Sequence, residues 1–213
     1  MNMREIVREN PILAIMRNIP SEKLIDYVEA IRQGGVNFFE VAMNTPDAVD
    51  QIRTLKEHFG DQIILGAGTV ITVERAKAAV EAGAQFMVTP STDIPVLEYC
   101  RDHGIPMTPG VLTPTDVSTC LSYGFDVMKL FPAGDMPMNY VKSLKGPFDG
   151  TDYVAVGGVT SDNMEEFLRR GCIGLGIGSG MMPKEVVKNG DWEAGTAHVK
   201  AMVEKVKAVL ENK

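Results

Sequence analysis

Cysteine and histidine are scarce in this chain of 213 residues, which contains three of each. The cysteines, at positions 100, 120 and 172, lack metal-type spacing, so we expect a protein of the reducing cytoplasm rather than a disulfide scaffold. The histidines, at positions 58, 103 and 198, fall in helix-like segments rather than at strand ends. We therefore expect no His-ligated catalytic metal. No cofactor is predicted.

Long apolar runs and an excess of positive charge are also missing. No apolar run approaches the roughly 18–20 residues of a membrane span, and no signal segment is recognisable at the start. The net charge of −7 argues against nucleic acid or an anionic membrane as a partner. A small anionic substrate stays compatible, because local N–H groups and single cations can bind anions. No linker-like tract interrupts the chain, so we expect a single domain over residues 1–213.

Short apolar runs alternate with amphipathic helical segments along the chain. The runs predict strands at 12–16, 38–42, 63–67, 86–89, 106–109, 127–131, 153–156 and 173–177. The segments between them predict helices at 21–33, 46–58, 72–82, 93–103, 114–123, 138–145, 161–170 and 183–189, and a closing helix at about 191–212. Such alternation implies parallel strands with crossover helices, and eight units predict an α/β fold, the (β/α)8 TIM barrel. A doubly wound sheet is the alternative.

Helix boundaries are also suggested by the sequence. Ser21, Thr72 and Ser161 are predicted N-caps, because an acidic residue follows each of them in the first turn. Glycines are predicted to end five helices, at positions 34, 83, 104, 124 and 171. Residues 1–10 are suited to a short helix that covers the barrel floor.

Lys129 is the one lysine of twelve that lies within a run of large apolar side chains, residues 125–132 (FDVMKLFP). A buried ammonium is costly unless it is paired or deprotonated. Desolvation would lower the pKa of Lys129 and leave a neutral amine that can attack a ketone and form an imine. The alternative is a structural ion pair with Glu40, which lies in another apolar run, residues 38–43.

The C-terminal ends of barrel strands carry function, so the residues there are the candidate site. These are Arg17, Glu40, Asn44, Thr69, Pro90, Lys129, Phe131, Gly157, Gly158, Gly178 and Ser179. Glu40 is predicted to transfer protons, and Arg17 to bind a carboxylate or phosphate unless it faces solvent. The glycines after the last two strands leave N–H groups open for a phosphate, although they would also suit tight turns. Phe131 is predicted to line the pocket or to belong to the core.

Five segments resemble, in order and spacing, the 2-keto-3-deoxy-6-phosphogluconate (KDPG) / 4-hydroxy-2-oxoglutarate (KHG) aldolase family. They are residues 40–46 (EVAMNTP), 66–70 (GAGTV), 88–90 (VTP), 128–133 (MKLFPA) and 156–160 (VGGVT). The resemblance runs over roughly residues 5–210. It implies a metal-free, homotrimeric class I aldolase of the (β/α)8 fold that releases pyruvate from a Schiff base.

The matching motifs imply a role for each candidate residue. Lys129 is similar to the Schiff-base lysine of the family and Glu40 to its proton-transfer glutamate. Thr69 and Pro90 match positions that line the pyruvoyl pocket, and Phe131 matches the aromatic residue near the lysine. The positions that match the phosphate loops are Gly157, Gly158 and Ser179. Arg17 matches a substrate-binding arginine found in part of the family.

Two departures bear on the substrate. Gluconate-type enzymes often carry arginine at the substrate-contacting position of Asn44 and threonine at the position of Val156. The sequence segments around Asn44 and Val156 more closely resemble those of the 2-keto-3-deoxy-6-phosphogalactonate branch of the family. A hydroxyl missing at Val156 would remove one hydrogen bond to the C4 hydroxyl, worth about 1 kcal/mol.

The sequence thus predicts a cytoplasmic class I aldolase that binds a small keto-deoxy sugar acid phosphate. The expected reaction is cleavage of KDPG to pyruvate and D-glyceraldehyde 3-phosphate, with cleavage of KHG to pyruvate and glyoxylate as a further activity. The galactonate epimer is the alternative substrate. The alternatives of another class are a phosphosugar isomerase or epimerase and a non-catalytic phosphosugar-binding barrel.

Overall fold

A computed structural model describes residues 2–212, and strands and helices alternate throughout them. The nine strands are β1 (Ile12–Met16), β2 (Phe38–Ala42), β3 (Ile64–Gly68), β4 (Met87–Val88), β5 (Met107–Thr108), β6 (Gly110–Val111), β7 (Val127–Leu130), β8 (Asp152–Val156) and β9 (Gly174–Ile177). The ten α-helices are α1 (Met3–Glu9), α2 (Leu24–Gln33), α3 (Ala48–Phe59), α4 (Val73–Ala82), α5 (Ile94–Asp102), α6 (Pro114–Ser122), α7 (Tyr140–Lys145), α8 (Met164–Arg169), α9 (Lys184–Asn189) and α10 (Trp192–Glu211).

The sheet closes into a barrel through a single divided strand. All paired neighbours are parallel, and the order is β5-β4-β3-β2-β1-β9-β8-β7-β6. Its two ends, β5 and β6, are halves of one chain segment separated by Pro109. That segment pairs with β4 on one side and with β7 on the other. The eight predicted strands are therefore present, and the (β/α)8 TIM barrel is confirmed.

Proline explains why the fifth predicted strand, 106–109, is wrong in its bounds. Pro109 has no N–H to donate to a neighbouring strand, so the ladder is interrupted there. Its carbonyl still accepts a hydrogen bond from Lys129 N at 2.8 Å. The hydroxyl of Thr89 bridges the same break by accepting from Gly110 N at 3.0 Å.

Side chains of the barrel strands divide between two apolar layers, because alternate residues of a strand point to opposite faces. The larger layer packs between the sheet and the surrounding helices. The smaller layer fills the barrel interior and includes Leu13, Ile15, Phe38, Phe86, Val88, Val127, Val154 and Val156. The interior is therefore packed at one end, and the strand register decides which polar side chains enter it at the other.

Helix α1 covers the N-terminal end of the barrel, as predicted. Its residues Met3, Ile6 and Val7 belong to the interior apolar layer. Buried Asp152, at the start of β8, holds the helix by ion pairs with Arg4 at 2.9 Å and Arg8 at 3.2 Å. The floor of the barrel is thus closed, and access is left to the C-terminal ends of the strands.

Two predicted N-caps are wrong and one is confirmed. Thr72 caps α4 by accepting from Arg75 N at 3.3 Å. The hydroxyl of Ser21 instead donates to Asp47, and α2 begins only at Leu24 after a short 3₁₀ turn. Ser161 precedes a further turn, so that α8 begins at Met164. In both cases the serine side chain bonds to another side chain, to Asp47 from Ser21 and to Asp162 from Ser161, instead of capping the helix.

Candidate active site

Glu40 and Lys129 both point into the barrel, because each lies two residues beyond an inward-facing apolar residue of its strand. Phe38 precedes Glu40 on β2, and Val127 precedes Lys129 on β7. The two polar side chains stand nearer the C-terminal ends of the strands than these apolar residues. They are only 1% and 4% exposed. Strand periodicity therefore brings together an amine and a carboxyl group from opposite parts of the sheet.

A cavity of about 760 Å³ opens at this end of the barrel. Eight of the predicted site residues line it: Arg17, Glu40, Lys129, Phe131, Gly157, Gly158, Gly178 and Ser179. The cavity reaches from the barrel interior, at Lys129, to the surface between α2 and α9. It provides room for an extended small molecule with one end beside the amine.

The amine of Lys129 lies in an apolar environment. Its Nζ is 4.8 Å from the centroid of the Phe131 ring. Burial lowers the pKa of Lys129 below its ordinary value of 10.5, Glu40 acts in the opposite direction, and Arg17 adds to the lowering. The dominant effect is desolvation, which favours the neutral, nucleophilic form of the amine.

The carboxyl group of Glu40 packs against the backbone of β3. A Cβ atom placed on Gly68 would lie 2.3 Å from Oε1 of Glu40, so the glycine leaves the space that the carboxyl group occupies. Burial raises the pKa of Glu40 above its ordinary value of 4.5, while Lys129 and Arg17 act to lower it. A carboxyl group in this state is suited to give and to take a proton.

Glu40 and Lys129 form no direct ion pair. Oε2 of Glu40 is buried and has no hydrogen-bond partner within residues 2–212. Each group nevertheless affects the pKa of the other, which shows that they interact through space. The two groups thus lack the direct contact that is typical of a structural ion pair, and their roles stay a prediction. A buried carboxyl oxygen without a partner is instead expected to meet a ligand or water.

Two loops at the cavity present unused peptide N–H groups. Gly157 O accepts from Gly134 N at 2.7 Å, and Gly158 O accepts from the Asn163 side chain at 2.8 Å. The N–H groups of Gly158, Ser179 and Gly180 donate to no other described residue. The carbonyls thus point away and the donors stay free, an arrangement suited to an anion.

Glycine is required at position 157 for two reasons. Its φ of +85° lies in the left-handed region, and a Cβ atom there would lie 3.0 Å from the Phe131 ring. The loop that offers free N–H groups therefore also sets the position of the ring beside Lys129. The same backbone makes the tight turn and leaves the N–H group of Gly158 unused, so the two alternatives are compatible, and anion binding there stays a prediction.

Arg17 lies at the exposed rim of the cavity, one residue after β1. Its charge acts on both Glu40 and Lys129, so the guanidinium lies on the side of the cavity where those two groups meet. The neighbouring Asn18 has a φ of +55°, and its N–H donates to Thr45 Oγ1 at 3.2 Å. This turn holds the loop that carries Arg17.

Three predicted residues do not line this cavity. Asn44 is exposed in the turn after β2, and Pro90 is half-buried after β4. Thr69 follows Gly68 with a φ of +57°, and its carbonyl accepts from Arg75 at 3.1 Å. The predicted substrate contacts of all three stay predictions, since they lie next to the cavity rather than in its walls.

Several residues that line the cavity were not predicted as site residues. Ile15 forms an apolar wall together with Val156, which the sequence had connected with the C4 hydroxyl, and Tyr27 and Lys23 of the α2 region extend the cavity outward. Ile15 could have been found from strand periodicity, because it stands two residues before Arg17. Tyr27 gives no such signal, since a tyrosine on the apolar face of a helix is typical of a core.

Within residues 2–212, no cluster of three metal-ligating side chains is present.

Comparison with known proteins gives consistent matches over most of the chain. The family model described as KDPG and KHG aldolase matches residues 3–198. A 2-dehydro-3-deoxy-6-phosphogalactonate aldolase of Escherichia coli (strain K12) is 33% identical over 170 residues, 79% of this chain and 83% of that protein. A 2-dehydro-3-deoxy-phosphogluconate aldolase of Treponema pallidum (strain Nichols) is 33% identical over 196 residues, 91% of this chain and 90% of that protein.

Solved structures agree with these sequence matches. The crystal structure of KDPG aldolase from Legionella pneumophila, with pyruvate captured at low pH as a covalent carbinolamine intermediate, is similar with a TM-score of 0.87 and 29% identity. The match covers 95% of this chain and 98% of that chain.

In the part of the chain that the structure describes, no helix is long and apolar enough to cross a membrane.

Proposed function

Because this chain belongs to the KDPG and KHG aldolase family, we propose that it cleaves KDPG through an imine on Lys129. The observation that carries the proposal is the pairing of a buried amine with a buried, unpartnered carboxyl oxygen in one cavity. The products are pyruvate and D-glyceraldehyde 3-phosphate. KHG, which gives pyruvate and glyoxylate, is proposed as a second substrate.

The first half of the reaction forms the imine. The neutral amine of Lys129 attacks the C2 carbonyl carbon, and the carbonyl oxygen takes a proton to give a carbinolamine. Glu40 in its protonated form then protonates the departing hydroxyl, which leaves as water. The product is a protonated imine between Nζ and C2. The raised pKa of Glu40 supports this step, because burial favours the protonated form of the carboxyl group that donates the proton.

The second half breaks the C3–C4 bond. The Glu40 carboxylate removes the proton of the C4 hydroxyl, the C3–C4 electron pair moves toward the imine nitrogen, and the aldehyde leaves. The enamine that remains on Lys129 takes a proton at C3. Water then adds to the imine and releases pyruvate and the free amine. Every proton transfer can be served by one carboxyl group because C2, C3 and C4 are adjacent.

The two charged ends of the substrate fit different parts of the cavity. The carboxylate at C1 is adjacent to the imine carbon, and Arg17 acts electrostatically at that end of the cavity. The phosphate at C6 is proposed to bind the free N–H groups of Gly158, Ser179 and Gly180. Phe131 is proposed to keep water from the imine, since its ring lies beside Nζ.

The galactonate epimer is the second candidate substrate, and Val156 is the observation that favours it. This side chain lines the cavity, and its methyl groups cannot donate a hydrogen bond to a C4 hydroxyl. Relatives from both branches match the chain at the same identity. The breadth of the gluconate branch favours KDPG as the main substrate.

Turnover of the two C4 epimers tests the proposal. We expect pyruvate from both and a higher kcat/KM for KDPG, whereas Lys129→Ala should release none and still fold. Val156→Thr should move the ratio of kcat/KM values about fivefold toward KDPG, the equivalent of one hydrogen bond of about 1 kcal/mol. A higher kcat/KM for the galactonate epimer in the wild type would select the second candidate. Turnover by Lys129→Ala would refute the mechanism.

A further inference from the structure

Tyr27 is a buried tyrosine of α2 whose hydroxyl has no partner. It is 3% exposed, yet it belongs to the walls of the cavity that contains Lys129. Its hydroxyl makes no hydrogen bond to another residue in the described range 2–212, and the oxygen itself keeps some exposure to solvent. The mechanism proposed above gives it no role.

A hydroxyl in this position is expected to serve a ligand. Burying a hydroxyl without a hydrogen bond is unfavourable, and polar groups of this kind nearly always find a partner. The Tyr27 hydroxyl is not sealed in the core, because the residue lines an open cavity. Water or a ligand group that enters through the cavity can therefore accept its hydrogen bond.

The part of the cavity near Tyr27 lies far from the proposed imine. Lys129 and Glu40 point inside the barrel, whereas Tyr27 projects from a helix that covers the barrel from outside. Ser179 and Gly180 line the same cavity as both regions. Tyr27 thus belongs to the outer end, where the aldehyde half of a substrate bound at Lys129 would extend.

Positive charge is also placed at the outer end. Lys23, one helical turn before Tyr27, donates to Val187 O at 2.8 Å and Lys188 O at 2.9 Å, and so fixes α9 against the start of α2. Lys184 lines the cavity from α9 and has no ion-pair partner among the described residues. At the outer end of the cavity, Lys23 thus holds α9 in place, and the unpaired ammonium of Lys184 favours an anionic ligand group.

We propose that the Tyr27 hydroxyl donates a hydrogen bond to the phosphate monoester of the substrate and completes the set of peptide N–H donors at Ser179 and Gly180. The inference rests on the proposed function, since it assumes that the substrate carries its phosphate away from Lys129. Burial raises the pKa of the Tyr27 hydroxyl above its usual range, so the group keeps its proton and can donate it near neutral pH. Tyr27 is thus a binding residue that sets preference for phosphorylated substrates.

Tyr27→Phe tests the inference, because it removes one oxygen and keeps the ring. The probe is glycerol 3-phosphate, a phosphate monoester with no carbonyl for Lys129 to attack. Its Kd, measured by calorimetry, should rise about tenfold in the variant, the loss expected for a hydrogen bond to a charged group. The KM for KDPG should rise by a similar factor with kcat within about twofold, and the KM for KHG should not change.

Tyr153→Phe is the matched control. Tyr153 is also fully buried, but its hydroxyl is bonded to Thr151 at 3.2 Å and it does not line the cavity. This variant should bind glycerol 3-phosphate as the wild type does. An unchanged Kd in Tyr27→Phe, or an equal rise of KM for KHG, would overturn the inference. Because the probe needs no imine, its binding is decided separately from the chemistry at Lys129.

Discussion

Burial of the Glu40 carboxyl group has a consequence for folding as well as for proton transfer. Its pKa is raised in the folded protein from the ordinary value of 4.5. Between pH 4.5 and the folded-state pKa, the folded protein therefore holds a proton that the unfolded chain has released. Stability falls as pH rises through that window, by up to about 1.4 kcal/mol per pH unit.

Glu40→Gln should remove this pH dependence, because the amide does not titrate. We expect the free energy of unfolding of the variant, relative to the wild type, to grow steadily as pH is raised from about 5 toward neutrality. Urea unfolding at several pH values measures it, with Glu57→Gln, an exposed change on α3, as the control. A difference between variant and wild type that stays constant with pH would contradict the raised pKa.

Single residues differ in how far the sequence predicts them. Lys129 and Glu40 could be recognised because a charge inside an apolar strand is rare and costly. The choice between a ligand-binding and a solvent-facing Arg17, and the presence of Tyr27 in the cavity wall, could not be predicted, since both depend on which loop or helix covers the cavity. The absence of a direct contact between Glu40 and Lys129 also could not be predicted. It depends on Gly68, which has no side chain and so leaves the space that the Glu40 carboxyl group occupies.

At the scale of elements, strands were predicted more closely than helix starts. β1 and β2 have the predicted bounds, because unbroken runs of large apolar side chains mark strands that are buried on both faces. β4 and β5 are only two residues long, since Pro90, Pro106 and Pro109 limit the ladder around them. α2 and α8 begin later than predicted, because the hydroxyls of Ser21 and Ser161 bond to other side chains instead of capping the first helical turn. Hydrogen bonds of this kind cannot be predicted from the periodicity of apolar residues in the sequence.

At the scale of the whole molecule, exposed apolar side chains are concentrated on one side of the barrel. Among the described residues, the large exposed ones are Ile71, Val80, Ile94 and Leu121. They belong to α4, α5, α6 and the loop that precedes α4, neighbours around the barrel. Together with the family resemblance, this supports the proposal that the protein is a homotrimer that buries this side. A single domain over residues 1–213 stays a prediction.

Sedimentation equilibrium should therefore give a mass three times the 23.2 kDa of one chain. Ile94→Lys should reduce the mass toward that of one chain, because a charge would be buried at an apolar contact. Ala197→Lys adds the same charge on α10, away from α4–α6, and should not change it. A wild type that sediments as one chain would refute the trimer.

The barrel brings the amine of Lys129 on β7 and the carboxyl group of Glu40 on β2 into the same cavity. The most direct test of this account is borohydride reduction in the presence of pyruvate, followed by peptide mass analysis. We predict a pyruvate-sized mass increase on the peptide that contains Lys129, and no such increase in Lys129→Ala. An unmodified Lys129, or a label on another lysine, would contradict the central claim that this buried amine forms the imine.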